Sequence, residues 1–251
     1  MIRLLLLLLA IALPARAEEI VADMSQDRIA ISTNFDGSEI LVFGAVKRDS
    51  PQPASRRLAV IVTVTGPRED VTVRRKERRV GIWVNTDSVE VAGVPSFYAV
   101  ASSVPLAEAL LPEEDEKWGI TTARALVATA PEGAPGIDPD FLEALIRVNT
   151  AAGIYGSEEQ AVDLRDGTLF SAEIELPSDL TEGNYDTRIF LTRDGRIVDS
   201  YATSLYVQKV GMERWIYALA HDRPFVYGLL SLFIAVAAGW GASAVFRLIN
   251  R

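Results

Sequence analysis

The sequence predicts a mainly β protein: an immunoglobulin-like antiparallel β-sandwich with a few short helices, followed by one C-terminal transmembrane helix. Three observations carry that expectation. Short runs rich in β-branched residues, separated by turn signals, occupy residues 18–93 and return over 156–210. Hydrophobic residues make up 49% of the chain, but the excess is concentrated at its two ends. Cysteine is absent, so no disulfide can staple the body, and a hydrophobic core must hold it together.

The strands begin with residues 28–32, 39–44 and 58–65, the third β-branched through its centre and stopped by Gly66-Pro67. Two further strand-like runs, 71–73 and 80–84, flank a charged turn, Arg74-Arg75-Lys76-Glu77-Arg78-Arg79. From 94 to 101 small and aromatic residues alternate without strand rhythm. Pro105 then opens another short segment, so residues 94–155 are expected to be helices and loops. Within them 112–139 carries an acidic run and several prolines, although 121–129 can form another strand. Asp138-Pro139 opens a clear helix: aspartate caps free amides, proline suits the first turn, and Phe141, Leu142, Leu145 and Ile146 share a face before Gly153.

Strands resume at 168–176, 185–193 and 196–207. Asp194-Gly195 sits between the last two, and that pair readily takes the positive φ angles of a two-residue type I′ hairpin turn. The approach to Tyr185 from Pro177 resembles the strand entry of many immunoglobulin-like sandwiches, where a tyrosine hydrogen-bonds back to the preceding corner.

The apolar ends set a topology. Arg3 precedes the apolar run 4–13, and Ala15-Arg16-Ala17 supplies small residues at a signal-peptidase site, so residues 1–17 read as a signal peptide cleaved after Ala17. An uncleaved first transmembrane helix is the alternative, but the run is about half the roughly 20 residues needed to cross hydrocarbon. From Phe225 to Phe246 no charged residue occurs. A helix of that length spans roughly 33 Å, which is one crossing. Export of residues 18–210 with Arg247 and Arg251 retained inside follows the positive-inside tendency. The expected location is the bacterial inner membrane, single-pass, with the bulk in the periplasm and 247–251 as a cytoplasmic tail. Preceding the span, Met212, Trp215, Ile216 and Leu219 recur at i, i+3, i+4, i+7. Residues 211–223 thus read as an amphipathic helix on the bilayer surface, with Trp215 and Tyr217 at headgroup level, or as one packed under the sandwich.

The 25 basic and 34 acidic residues leave a net charge of −9. The acidic residues all lie between the two termini, which argues against nucleic acid and against adhesion to anionic lipid. One histidine and no cysteine exclude the usual zinc ligand sets and cysteine catalysis. His221, beside Asp222 near the membrane entry, reads as an interfacial residue in preference to a general base. The carboxylate clusters at 113–116 and at Asp138 and Asp140 lack the spaced ligands and turn glycine of a calcium loop. No cofactor, no metal and no enzymatic activity are expected.

Two interaction features remain. The patch of Arg74, Arg75, Lys76, Arg78 and Arg79 can draw an anion or an acidic partner, or can keep a hairpin tip soluble. Ser231, Ala235, Gly239 and Ser243, four apart in the span, give it a small-residue stripe that lets a partner helix or a second copy approach; otherwise the helix is a plain anchor.

At 76–85 (Lys-Glu-Arg-Arg-Val-Gly-Ile-Trp-Val-Asn), at 94–102 (Val-Pro-Ser-Phe-Tyr-Ala-Val-Ala-Ser) and over 201–228, with its Gly-Met-Glu-Arg-Trp and Pro-Phe-Val-Tyr-Gly elements, the chain resembles the alphaproteobacterial putative transmembrane protein family. That family has no assigned function, so the resemblance implies no catalytic residues. Its frequent encoding near sulfite-exporter-type permeases implies an accessory role beside an anion transporter. The expected function is a non-enzymatic accessory or interaction partner of a membrane complex. The alternatives are a membrane-tethered carboxylate-dependent enzyme and a stand-alone periplasmic binding or sensing module.

Overall fold

A computed structural model describes residues 18–32, 35–48, 57–129, 138–210 and 212–249. The predicted signal peptide, 1–17, and the last two residues of the predicted tail lie outside them, and of Trp215 only the backbone is described. The chain divides into two compact units: a body, made of the residues up to Ile29 and 36–207, and a second unit of 30–35 and 208–251.

In the body, β1 (Glu18–Met24), β3 (Ser38–Arg48), β10 (Leu169–Leu176) and β9 (Val162–Arg165) form a four-stranded sheet in the order β1-β3-β10-β9. A six-stranded sheet runs β2-β12-β11-β4-β7-β8, from β2 (Arg28–Ile31), β12 (Arg196–Lys209), β11 (Gly183–Arg193), β4 (Leu58–Thr65), β7 (Tyr98–Ser102) and β8 (Tyr155–Glu159). Strands from 18–93 and from 156–210 therefore share both sheets, and the mainly β class stands. The pair β7–β8 is parallel, an exception to the antiparallel expectation.

Alternation places the faces. In β10, Phe170, Ala172, Ile174 and Leu176 are buried while Glu173 and Glu175 face water, as period-two patterning dictates. In β4 every residue from Leu58 to Val64 is buried, which explains a run that is apolar except for Thr63. One face of that strand puts Ala59 and Ile61 with Tyr98, Val100 and Phe190 under Ala109, Leu110, Ile120, Leu126 and Leu145 of the helical segment. Its other face carries Val60, Val62 and Val64, beside Ile189 and Leu191 of β11, also buried. Polar ties join the sheets: Asp199 of β12 accepts from Ile20 N of β1 at 2.8 Å, and Glu18 of β1 takes Arg193 of β11 as well as Arg48 of β3.

The helical layer comprises α1 (Leu106–Ala109), α2 (Pro112–Trp118), α3 (Thr122–Thr129) and α4 (Pro139–Ala151). Arg188 of β11 donates to the Trp118 and Gly119 carbonyls at 3.0 and 3.1 Å, pinning the C-terminus of α2 to the sheet. The α4 cap is as expected: the Asp138 side chain accepts from Asp140 N at 3.0 Å, with Pro139 in the first turn.

Three segments differ from expectation. Residues 98–102 are a strand, not helix or loop, because β7 lies between β4 and β8 and is covered on both faces, which erases alternation. Residues 122–129 are a helix, not a strand, since Ala125 and Leu126 bury against the sheet while the flanking residues stay exposed. The basic run 74–79 is not a turn: it is the distal half of β5 (Arg68–Arg79), paired along its length with β6 (Ile82–Pro95) in a separate two-stranded ribbon. The other turn readings agree with the structure. Asp194 and Gly195 have φ of 50° and 79°, and the Tyr185 hydroxyl donates to the Thr181 carbonyl at 3.0 Å.

In the second unit, α5 (Met212–Asp222) is followed by α6 (Pro224–Ile249). Helical hydrogen bonds continue on both sides of the junction, Arg223 N to the Leu219 carbonyl and Tyr227 N to the Arg223 carbonyl. Pro224 has no N–H to give and marks the boundary.

Candidate functional site

The base of the β5–β6 ribbon is fixed by apolar contact. Val71, Val73 and Val89 pack against the cluster formed by the helical layer and the six-stranded sheet. Beyond them every residue of β5 from Arg74 to Arg79 is exposed, with Arg75 still in contact with α4. Arg74, Arg75, Lys76, Arg78 and Arg79 are all exposed, so the five predicted patch residues are brought together along one edge strand. Arg75 is tied down, donating to Asp140 of α4 at 3.2 Å and lying 5.0 Å from the Phe141 ring centroid. Arg79 meets Glu77 at 3.3 Å. Arg74, Lys76 and Arg78 have no ion pair among the described residues. The strands reverse at Val80 (φ 51°) and Gly81 (φ 86°), and Ile82 and Trp83 follow directly. Trp83 stands opposite Arg78, and Ile82 opposite Arg79. Val80 is 104% exposed, Ile82 65% and Trp83 69%.

The apolar tip went unread in the sequence because 80–84 looks like a strand core. The signal was present: Val80-Gly81 between two charged-to-apolar runs of matching length is a hairpin turn with an atypical first residue.

In the second unit one helix among the described residues is long and apolar enough to cross a membrane, over Pro224–Ser243, and none of that span is buried. Ser231, Ala235, Gly239 and Ser243 all lie on its exposed surface. Nothing stands within 4 Å of where a Gly239 side chain would begin. The Ser231 hydroxyl donates back to the Tyr227 carbonyl at 2.9 Å, so it needs no acceptor from a neighbour. Of the two predicted interface aromatics, Tyr217 is exposed on α5, while the Trp215 side chain lies outside the described residues. The His221 ring stacks on Tyr217 at 4.0 Å, and its Nδ1–H donates to the Tyr217 carbonyl at 3.0 Å.

The carboxylates weighed for chemistry sit apart. Asp138 caps α4, Asp140 holds Arg75, and Glu113 is exposed in the first turn of α2. Asp115 accepts from Ile120 N, Thr121 N and the Thr121 hydroxyl at 3.0, 2.8 and 2.6 Å, which closes the α2–α3 corner. A different acidic group lies on the outer face of the four-stranded sheet, where Glu39 stands opposite Glu175 and diagonal to Glu173. Sharing a hydrogen bond with Glu173 and facing its charge, the Glu39 carboxyl is raised above the ordinary glutamate range. On the same sheet Val21, Phe43, Arg165 and Leu169 line a shallow depression of about 580 Å³. Among the described residues no group of three His, Cys, Asp or Glu side chains could hold a metal.

The model of the family described as "Putative transmembrane protein (Alph_Pro_TM)" matches residues 19–248, and the chain belongs to that family. No curated protein matches the chain. Among solved structures it is similar to Spo0M, a sporulation control protein from Bacillus subtilis, at 10% identity and a TM-score of 0.32. That alignment covers 82% of this chain and 55% of the other.

Proposed function

We propose that this chain is held in the bacterial inner membrane by α6, with its β-rich body in the periplasm and its C-terminus in the cytoplasm. There it serves as a non-enzymatic accessory or interaction partner of a membrane complex, an anion exporter of the sulfite type being the leading candidate. The observation that carries the reading is α6 itself: a helix apolar all round, with no part of its span covered by protein, belongs in lipid or against another membrane helix. A stripe of Ser231, Ala235, Gly239 and Ser243 supports contact with a neighbouring helix, since small side chains let backbones approach and gain dispersion energy where no hydrophobic drive exists. Asp138, Asp140 and Asp115 each already serve a cap, an ion pair or a corner, which favours an interaction role over carboxylate chemistry.

Purification of the full chain from membranes in mild detergent tests the reading. A stoichiometric membrane partner, released by Ala235→Leu with Gly239→Leu, is the expected result. A lone monomer would instead favour a stand-alone binding or sensing module, and a complex indifferent to the two leucines would remove the stripe from the contact.

A further inference from the structure

We propose that the tip of the β5–β6 ribbon docks in the headgroup layer of an anionic phospholipid membrane, with Val80, Ile82 and Trp83 inserted and Arg74, Lys76 and Arg78 on the phosphates. The inference is independent of any protein partner and rests only on the chain being membrane-anchored.

Its first support is composition at the tip. Between positions 74 and 85 stand five cations and one carboxylate, Glu77, which Arg79 engages; Arg75 is held by Asp140 and stands opposite Asp87, which leaves Arg74, Lys76 and Arg78 without an ion pair among the described residues. Beside them stand three large apolar side chains, Val80 wholly and Ile82 and Trp83 about two-thirds in water. Cations that hold phosphate, next to a tryptophan whose amphipathic ring prefers the interface, form the pairing that binds lipid surfaces. An acidic protein partner would need only the charge, and a second copy of this chain would set cation against cation.

Distance supplies the second support. The body is acidic, and its field would repel an anionic surface. From Arg75, held against α4 by Asp140 and Phe141, to Val80 is five residues, roughly 17 Å at about 3.3 Å each. That exceeds the Debye length of about 8 Å at physiological salt, so the tip presents its own positive potential and not that of the body.

The turn itself is the third support. Both of its residues have positive φ, a geometry in which Asn-Gly is comfortable and a β-branched residue is strained. Valine at position 80 costs the hairpin stability and leaves an apolar side chain fully in solvent, a local misfit that an inserted tip would explain. Membrane tethering through α6 keeps lipid at high effective concentration, so even weak insertion would be populated.

Because the chain has no cysteine, Ile82→Cys can carry a single nitrobenzoxadiazole probe on the full-length protein. The labelled chain is placed in nanodiscs of phosphatidylcholine alone or of phosphatidylcholine with phosphatidylglycerol. With the anionic lipid the emission should move to the blue and be quenched by bromine-labelled acyl chains. Arg74→Glu, Lys76→Glu and Arg78→Glu together should cut the engaged fraction by about tenfold or more. Val80→Asn should raise the melting temperature while weakening the blue shift, a split that a purely structural turn residue would not give, and one that stands even if the triple variant misfolds. Aqueous emission in both lipids overturns the proposal. So does a blue shift that ignores the anionic lipid and grows with protein-to-nanodisc ratio, which would mean burial against a second copy.

Discussion

Glu39, Glu173 and Glu175 gather three carboxylates on the solvent face of one sheet, and the physics of like charges decides how they titrate. A raised Glu39 means that the folded state holds this proton more tightly than the unfolded chain does. The favourable contribution is therefore full in acid and is lost as pH rises through the ordinary value of 4.5 and beyond, leaving a cost at neutral pH. Glu173→Gln removes one charge and offers an amide donor. It should return Glu39 toward the ordinary range in an NMR titration and raise the melting temperature at neutral pH, with the gain vanishing in strong acid; an unmoved Glu39 titration would refute the coupling. Burial acts differently on Tyr185, whose hydroxyl is pushed up to about 12 while it closes the corner with Thr181. That tyrosine, the Asp138 cap and the Asp194-Gly195 turn were readable from sequence because each depends on neighbours within a few positions. The Glu39 cluster was not, since Glu39 lies more than a hundred positions from Glu173 and Glu175 and meets them only through strand register.

At the scale of elements, β3 shows how closely strands are fitted. Gly44 pairs with Ala22 on one side and Phe170 on the other. A methyl group there would sit 2.6 Å from the Phe170 ring, 2.6 Å from the Val21 carbonyl oxygen and 2.8 Å from the Ala22 methyl, contacts that cannot all be relieved by rotating one side chain. Gly44→Ala should destabilise the body by roughly 1–3 kcal/mol in chemical denaturation, through overpacking; a neutral outcome would mean that β1 can shift outward freely. The same fit explains the misread segments. A strand covered on both faces, such as β7, loses the alternation by which strands are recognised. A strand whose side chains are all exposed, such as distal β5, has no apolar rhythm at all and reads as a charged turn. The helix α3 was ambiguous because a short alternation of alanine, leucine and valine suits either period until packing selects the side that is buried.

For the whole molecule the decisive property is topology. If residues 18–210 lie outside the membrane as proposed, a protease added to intact spheroplasts should trim the body to a short membrane-protected fragment containing α6, seen as a mass shift on immunoblotting. Complete protection would place the body in the cytoplasm and remove the proposed partnership with an exporter. The sequence by itself determined the β-rich class, the absence of disulfides, the apolar helix beginning at Pro224 and the basic character of 74–79, because composition and short-range periodicity are local quantities. Only the tertiary structure decided that β3 joins β10 and β4 joins β11, and that the basic run stands as a ribbon edge ending in an exposed Val80, Ile82 and Trp83. Strand pairing across more than a hundred residues is set by which faces can bury one another, and that competition is settled only when the chain is packed.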